Sequence, residues 1–363
     1  MDIAIIGLPQ SGKTTVFNAL TGGLAVSDRG GGSAVQTHVG VVKVSDPRLD
    51  ILAGMYQPEK VVPAEVTYWD LAAPEAGDRS QGIAGRDRNL LQGADAYLLV
   101  VRAFTNPAVP HALGSVDPGR DLATMLGELA LADLEVLERA EDRLDDAMRK
   151  SVPAERQAQA RPLEAIRQVR VAIEGGTPLR RQALSGSAAG YLADYQLLTA
   201  KPVVVAFNTD ESEQAPSLDQ MNLEPEQRAG LGEIGLCARL EADLALMPGD
   251  EQAEFRVELG LGEPATSRVV QVSYDTLGLV SFLTVGEDEV RAWSVPAGMP
   301  AQDAAGRIHS DFSRGFIRAE VIPYDDLVRC GSIAQARKAG VLRSEGKTYN
   351  VKDGDVINFL INV

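Results

Sequence analysis

Cysteine, histidine, aromatic residues and long apolar runs are all scarce in this chain of 363 residues, and each shortage excludes a class of protein. The two cysteines, Cys237 and Cys330, are far apart and lack CxxC spacing. They can frame neither a disulfide scaffold nor a cysteine metal site, and they imply a reducing compartment. The longest apolar stretch, Ala96 to Val101 (AYLLVV), falls far short of the roughly 20 residues a membrane span needs and reads as a buried strand. Positive charge is also short: 35 Lys and Arg stand against 51 Asp and Glu, a formal charge of −16. That disfavours a general polyanion binder and fits a soluble protein. No basic flank or cleavage site follows Met1-Asp2, so no signal peptide is expected. These shortages predict a cytoplasmic protein without membrane or DNA contact, and a monomer is expected. The length predicts two or three domains.

What the chain does have is concentrated at its start, MDIAIIGLPQSGKTTVFNALT. An apolar run from Ile3 to Ile6 leads into a glycine-rich turn and then into an apolar-periodic segment through Val16, Phe17, Ala19 and Leu20. Within this strand, loop and helix, Gly7, Gly12, Lys13 and Thr14 match the phosphate-binding pattern G-x-x-x-x-G-K-[ST]. Glycines let successive backbone N–H groups turn toward phosphate oxygens, and the helix N-terminus adds its positive end. Lys13 is placed to reach the β- and γ-phosphates and Thr14 to hold Mg²⁺.

Residues 22–40 are rich in Gly and Ser and lack periodicity, as expected of a phosphate-sensing loop. Thr37 is the candidate to close over Mg²⁺ and the γ-phosphate, an ordinary turn threonine being the other reading. Val39–Val44 and Val61–Trp69 read as strands, the second delivering Asp70, where a Mg²⁺-orienting carboxylate belongs. The D-x-x-G glycine expected after it is Ala73, followed by Pro74, and no water-positioning glutamine follows. Hydrolysis is therefore expected to suffer more than binding. The loop after Ala96–Val101 carries Phe104 and His111, the latter reading as an exposed loop histidine. Helical spacing runs from Leu122 to Met148 and again from Pro162 to Glu174, with a break at Ser151-Val152-Pro153. This predicts an antiparallel, coiled-coil-like helical insertion over 117–199, with faces that are either solvated or partner-binding. Lys201–Phe207 (KPVVVAF) is a further buried strand, ending in Asn208-Thr209-Asp210-Glu211. A guanine reader has Asn-Lys-x-Asp here; Thr209 and Glu211 replace the lysine and the aspartate and predict weakened guanine preference. Ile234–Cys237 is a short last strand, leading to Ala238, whose amide can touch a base. Past residue 299 strands alternate with a short helix near Ile333–Ala339, a small α+β module with nine basic and eight acidic residues. That near-neutrality in an acidic chain is compatible with an RNA-facing surface.

Taken together the motifs resemble the YchF/Obg-like ATPases, a branch of the P-loop GTPases. The resemblance rests on GLPQSGKTT, VGVVKVSDPRLD, VDPGRDLATMLGELALADLE, NTDE, LGLVSFLTVGEDEVRAW, AGRIHSDFSRGFIRAEVIPYDDL and EGKTYNVKDGDVINFLINV. It implies an α/β P-loop NTPase domain with a mainly parallel sheet (1–116 and 200–298). The helical insertion (117–199) and a C-terminal β-grasp TGS module (299–363) complete the expected domains. It implies an NTPase preferring ATP over GTP, with Mg²⁺, associated with ribosomes or ribosomal RNA. Carried over by position, Gln10, Ser11, Gly12, Lys13, Thr14 and Thr15 would cradle the phosphates, with Thr14 and Thr37 on Mg²⁺. Asn208, Thr209, Glu211 and Ala238 would surround the adenine, Phe104 would stand beside the nucleotide, and His111 would help place the attacking water. The chain departs from the family where D-I-A-G-L-V-K-G-A becomes DLAAPEAGD and where the loop around Thr37 is shortened. Two other readings remain: a nucleotide-sensing module with negligible hydrolysis, and a GTPase.

Overall fold

A computed structural model describes residues 1–23, 26–27, 37–71, 83, 85–211 and 214–362. In chain order the elements begin β1 (Asp2–Ile6), α1 (Lys13–Thr21), β2 (Val26–Ser27), β3 (Thr37–Lys43), α2 (Pro47–Tyr56), β4 (Lys60–Val62) and β5 (Glu65–Leu71). They continue with α3 (Gly85–Gly93), β6 (Ala96–Ala103), α4 (Pro118–Lys150), α5 (Pro153–Glu174), α6 (Gly186–Leu192), β7 (Val203–Thr209), α7 (Pro225–Arg228) and β8 (Leu231–Leu236). Next come α8 (Ala238–Ala245), α9 (Gly249–Glu258), α10 (Ala265–Leu277), β9 (Leu279–Val285), β10 (Glu289–Pro296), α11 (Ala301–Ile308) and α12 (Ser310–Arg314). The chain finishes with β11 (Phe316–Pro323), α13 (Tyr324–Cys330), α14 (Ile333–Lys338), β12 (Arg343–Glu345) and β13 (Asp355–Ile361). Two compact units result: Met1–Gly40 with Thr67–Val272, and Val41–Val66 with Ser273–Val363.

The first unit is built on a seven-stranded sheet in the order β2-β3-β5-β1-β6-β7-β8. Strands β5, β1, β6, β7 and β8 pair in parallel, as continuous apolar runs covered on both faces require. Residues Ala96 to Arg102 of β6 and all of β7 are buried. Leu122, Met125, Leu126 and Leu129 of α4 pack into the same core as Leu99, Val101, Val205 and Phe207.

Asp117 caps α4 by accepting from Arg120 N, and Pro118 follows at the first turn, where its missing N–H costs nothing. Helix α5 doubles back along α4: Arg167 meets Glu141 and Asp145, and Arg170 meets Glu141. Leu137, Ala140, Ile166, Val169 and Ile173 fill the seam. Helix α5 starts at Pro153, nine residues before the apolar pattern suggests, because AERQAQAR consists largely of good helix formers without an apolar face. None of the helices formed by the described residues is long and apolar enough to cross a membrane.

The second unit holds a six-stranded sheet in the order β12-β11-β13-β9-β10-β4. It is larger than the module expected from residue 299 onward. Strands β9 and β10 belong to it, and so does β4, whose Val61 pairs in parallel with Val290. The segment Val61–Trp69, read as one strand, is two: Pro63 has no N–H to continue a ladder, so β4 and β5 go to different sheets.

Candidate functional site

Strand β1 ends at Ile6 and the loop to α1 passes over the C-terminal ends of the parallel strands, where open α/β sheets bind ligands. Three loop residues have left-handed or otherwise positive φ: Gly7 at 150°, Gln10 at 63° and Gly12 at 96°. Gly7 lies so close to the Val100 carbonyl, and Gly12 to the Asn208 side chain, that a Cβ at either would collide. The loop closes on itself through Ser11 N donating to Leu8 O (3.2 Å), and Gly12 O accepts from Val16 N (2.9 Å). Ser11 Oγ is buried without a partner among the described residues. Thr15, in the first turn of α1, is half-buried.

Lys13 folds back over the loop, its ammonium donating to Gly7 O (3.0 Å) and Leu8 O (3.2 Å). Burial pushes its pKa down, and the nearby Asp70 carboxylate opposes that shift. The Thr14 hydroxyl donates to Asp70 Oδ2 at 2.8 Å, while Asp70 is 2% exposed and its Oδ1 has no partner among the described residues. A hydroxyl beside a buried carboxylate with an uncommitted oxygen suits a hard cation such as Mg²⁺. No cluster of three or more His, Cys, Asp or Glu that could hold a metal occurs among the described residues, so water and phosphate oxygens would complete such a shell.

Thr37 opens β3. From that strand it is His38 whose side chain is recorded against Asp70, Nδ1 to Oδ2 at 3.7 Å, with its ring 6.2 Å from that of Phe17. His38 was missed in the sequence; its one signal was adjacency to Thr37. The Ala73-Pro74 departure lies outside the described residues.

Asn208 and Thr209 are the last two residues of β7, so the strand runs two residues beyond the apolar run. Asn208, 4% exposed, donates from Nδ2 to Ser11 O (3.0 Å) and accepts from Ala238 N (3.1 Å) at Oδ1. It thus ties the phosphate-type loop to the start of α8, and the Ala238 amide is already bonded to it. Thr209 is buried, whereas Glu211 is exposed; its N–H donates to Asp210 Oδ1.

His111 corrects the expectation of an exposed loop histidine: its side chain is 4% exposed. Nδ1 accepts from Leu113 N (3.0 Å), which leaves Nε2 to donate to Asp121 Oδ2 (2.7 Å). Arg120 donates to the other Asp121 oxygen, Oδ1. At the other end of this loop Phe104 is half-buried and packs on Arg102, with the guanidinium carbon 4.5 Å from the ring centroid. Arg102 and Asp121 were also missed. The available signals were an arginine inside an otherwise apolar strand and an acid one turn into α4.

The structure thus brings Lys13, Thr14, Asp70, Ser11, Asn208 and Ala238 into one connected set, and clamps His111 at the root of α4. Comparison with known proteins agrees with this architecture. Residues 2–133 match the family model MMR_HSR1, described as a 50S ribosome-binding GTPase. Residues 279–362 match YchF-GTPase_C, described as a protein of unknown function. The chain is 37% identical to the ribosome-binding ATPase YchF of Bacillus subtilis, covering 99% of this chain and 98% of that one. It is 32% identical to Obg-like ATPase 1 of Caenorhabditis elegans, covering 100% and 92%. The solved structure of the Schizosaccharomyces pombe YchF GTPase superposes with a TM-score of 0.83 at 27% identity, covering 99% and 97%. With its phosphate-loop strand, helical hairpin and C-terminal unit, and with this identity along its length, the chain belongs to the YchF/Obg-like ATPase family.

Proposed function

We propose that this protein binds ATP with Mg²⁺ in preference to GTP, hydrolyses it slowly to ADP and phosphate, and uses its nucleotide state to govern association with the ribosome. The observation that carries the reading is the Thr14–Asp70 pair of 2.8 Å beneath a loop held in positive φ at Gly7, Gln10 and Gly12. Gln10, Ser11, Gly12, Lys13, Thr14 and Thr15 supply the phosphate cradle. Lys13 places a positive charge against the charge that develops on the transferred phosphoryl group. Thr14, Asp70 and, from the start of β3, Thr37 would hold Mg²⁺, which when bound neutralises β- and γ-oxygen charge. Adenine is favoured because Glu211 and Thr209 replace the acid and the lysine of a guanine reader. Asn208 and Ala238 shape that end of the pocket, and Phe104 stacks on the base.

The relatives' names, ribosome-binding ATPase and Obg-like ATPase, support both the activity and the partner. In this reading the helical hairpin and the C-terminal unit form the ribosome-facing surfaces of a cytoplasmic monomer. Slow turnover follows from Ala73-Pro74 in place of the switch glycine, and from His111 having both ring nitrogens engaged before it can place a water. That engagement also favours a second reading, a nucleotide sensor with negligible hydrolysis, which single-turnover conversion of bound ATP separates from the first. The leading test is calorimetric titration with non-hydrolysable ATP and GTP analogues, with and without Mg²⁺. Tighter binding of the ATP analogue, strengthened by Mg²⁺, is expected; tighter binding of the GTP analogue overturns the base assignment, and binding of neither overturns the reading.

A further inference from the structure

Among the described residues no carboxylate forms an ion pair with Arg102. Arg102 sits in β6, one strand from β1, and is 2% exposed. Its ion partner is not a carboxylate but the main chain: Nε donates to Phe104 O (3.1 Å) and Nη2 to Val109 O (2.9 Å). Its third nitrogen, Nη1, is buried and has no partner among the described residues. The guanidinium also lies 4.5 Å from the centroid of the Phe104 ring. In the ladder Arg102 is the register partner of Asn208, so the two side chains leave the sheet on the same face. Asn208 in turn bonds to Ser11 of the phosphate-type loop.

A buried, unpaired charge is unfavourable unless something compensates it. Two features of its surroundings do so. The carbonyls of Phe104 and Val109 aim their negative ends at the guanidinium, and the Phe104 ring presents its electron-rich face. Both carbonyl bonds need a planar fork, which an ammonium lacks. The bonds fix the backbone on each side of residues 105–108, and the ring contact fixes the Phe104 side chain. Half-buried Phe104 therefore has one face set by the guanidinium and keeps part of its surface uncovered.

Resting on the nucleotide-binding reading above, the geometry points to Arg102 as the positioning residue of the base pocket. It holds Phe104 in a guanidinium–phenyl stack whose free side receives the planar base of a nucleoside triphosphate. Arg102 acts through Phe104, so it governs the contribution of the base and leaves the contribution of the triphosphate alone.

The test compares binding of Mg²⁺-ATP and Mg²⁺-tripolyphosphate to the full chain, since only the first carries a base. Arg102→Met is expected to weaken ATP at least about tenfold and to leave tripolyphosphate within about twofold. Arg102→Lys should behave like Arg102→Met, because charge alone does not rebuild the fork. Phe104→Leu, which leaves the buried cation in place, should show the same selective loss even if Arg102→Met does not fold. The double variant should lose no more than the worse single one, since both act on one stack. Undiminished ATP affinity in Arg102→Met or in Phe104→Leu overturns the inference, as does an equal loss of both ligands in Arg102→Met. If the unmodified protein binds neither ligand, the nucleotide reading falls and this inference with it; if it binds tripolyphosphate as tightly as ATP, the base pocket alone falls.

Discussion

His111 and Asp121 share a hydrogen bond of 2.7 Å in which neither side chain is more than 4% exposed. The bond joins the loop after β6 to the first turns of the long helix α4, so the histidine that the resemblance places near the attacking water is held by the root of the helical hairpin. Replacing Asp121 by Ala removes the acceptor of His111 Nε2–H, while the Arg120 guanidinium keeps its bonds to Ser115. A buried donor left unpaired costs about 1–3 kcal/mol. Urea unfolding should show a loss of that size, and His111→Ala combined with Asp121→Ala should lose less than the sum of the two. Strict additivity would mean that the pair does not couple the loop to α4.

The phosphate-type loop gives a second expectation. At Gly12 the backbone has φ 96°, and an added Cβ would collide with the amide of Asn208. Gly12→Ala must therefore strain the backbone and displace Asn208, which costs about 1–3 kcal/mol. Displacement breaks the bonds from Asn208 to Ser11 O and from Ala238 N. Thermal unfolding should register the loss, and titration with Mg²⁺-ATP should show affinity falling at least about tenfold. A Gly12→Ala protein that binds ATP like its parent would show that this close approach is irrelevant to the ligand.

The loop itself was legible because strand, glycine turn and helix follow one another within 21 residues, and their patterns are local. So were β6 and β7, whose unbroken apolar runs allow only a buried strand. What could not be read is what distant segments do to each other. Nothing near Val61 announces that β4 will pair with β10, more than two hundred residues on, so the C-terminal unit was drawn too small. Nothing in N-T-D-E says that Asn208 will bond to Ser11 and Ala238. The cation in AYLLVVRA was visible, but only the fold shows it against Phe104. A loop histidine is polar and was read as exposed. Its burial depends on Asp121, ten residues later and on another element.

Lys13 tests chemistry apart from folding. Its ammonium is bonded to Gly7 O and Leu8 O, yet burial disfavours its charged form. These effects oppose one another, so Lys13→Ala should change stability by no more than about 1 kcal/mol. Without the charge, the transferred phosphoryl group loses a preorganised partner, which is typically worth about 10²–10³ in rate. Steady-state phosphate release should fall by that factor while the unfolding midpoint barely moves. Equal turnover in Lys13→Ala would remove Lys13 from the mechanism.

The C-terminal unit carries a pH-dependent contact away from the candidate site. Tyr349 donates to Asp355 Oδ2 at 2.7 Å and accepts from Arg343 Nη2 at 3.1 Å. Burial, with Asp355 beside it, pushes the phenol up to about 12 from its ordinary 10.0. The native state therefore holds this proton more tightly than the unfolded chain does. Its stabilising contribution is complete below pH 10 and disappears as the pH climbs from about 10 toward about 12. Tyr349→Phe cannot ionise and leaves the buried Asp355 Oδ2 with Lys352 N as its donor among the described residues, at about 1 kcal/mol cost near neutral pH. Chemical denaturation of both proteins between pH 9 and about 12 isolates the effect, because the other tyrosines titrate equally in each and cancel. The gap between the curves should narrow as the pH rises; a gap that stays constant would show that Tyr349 has no raised pKa in the folded protein.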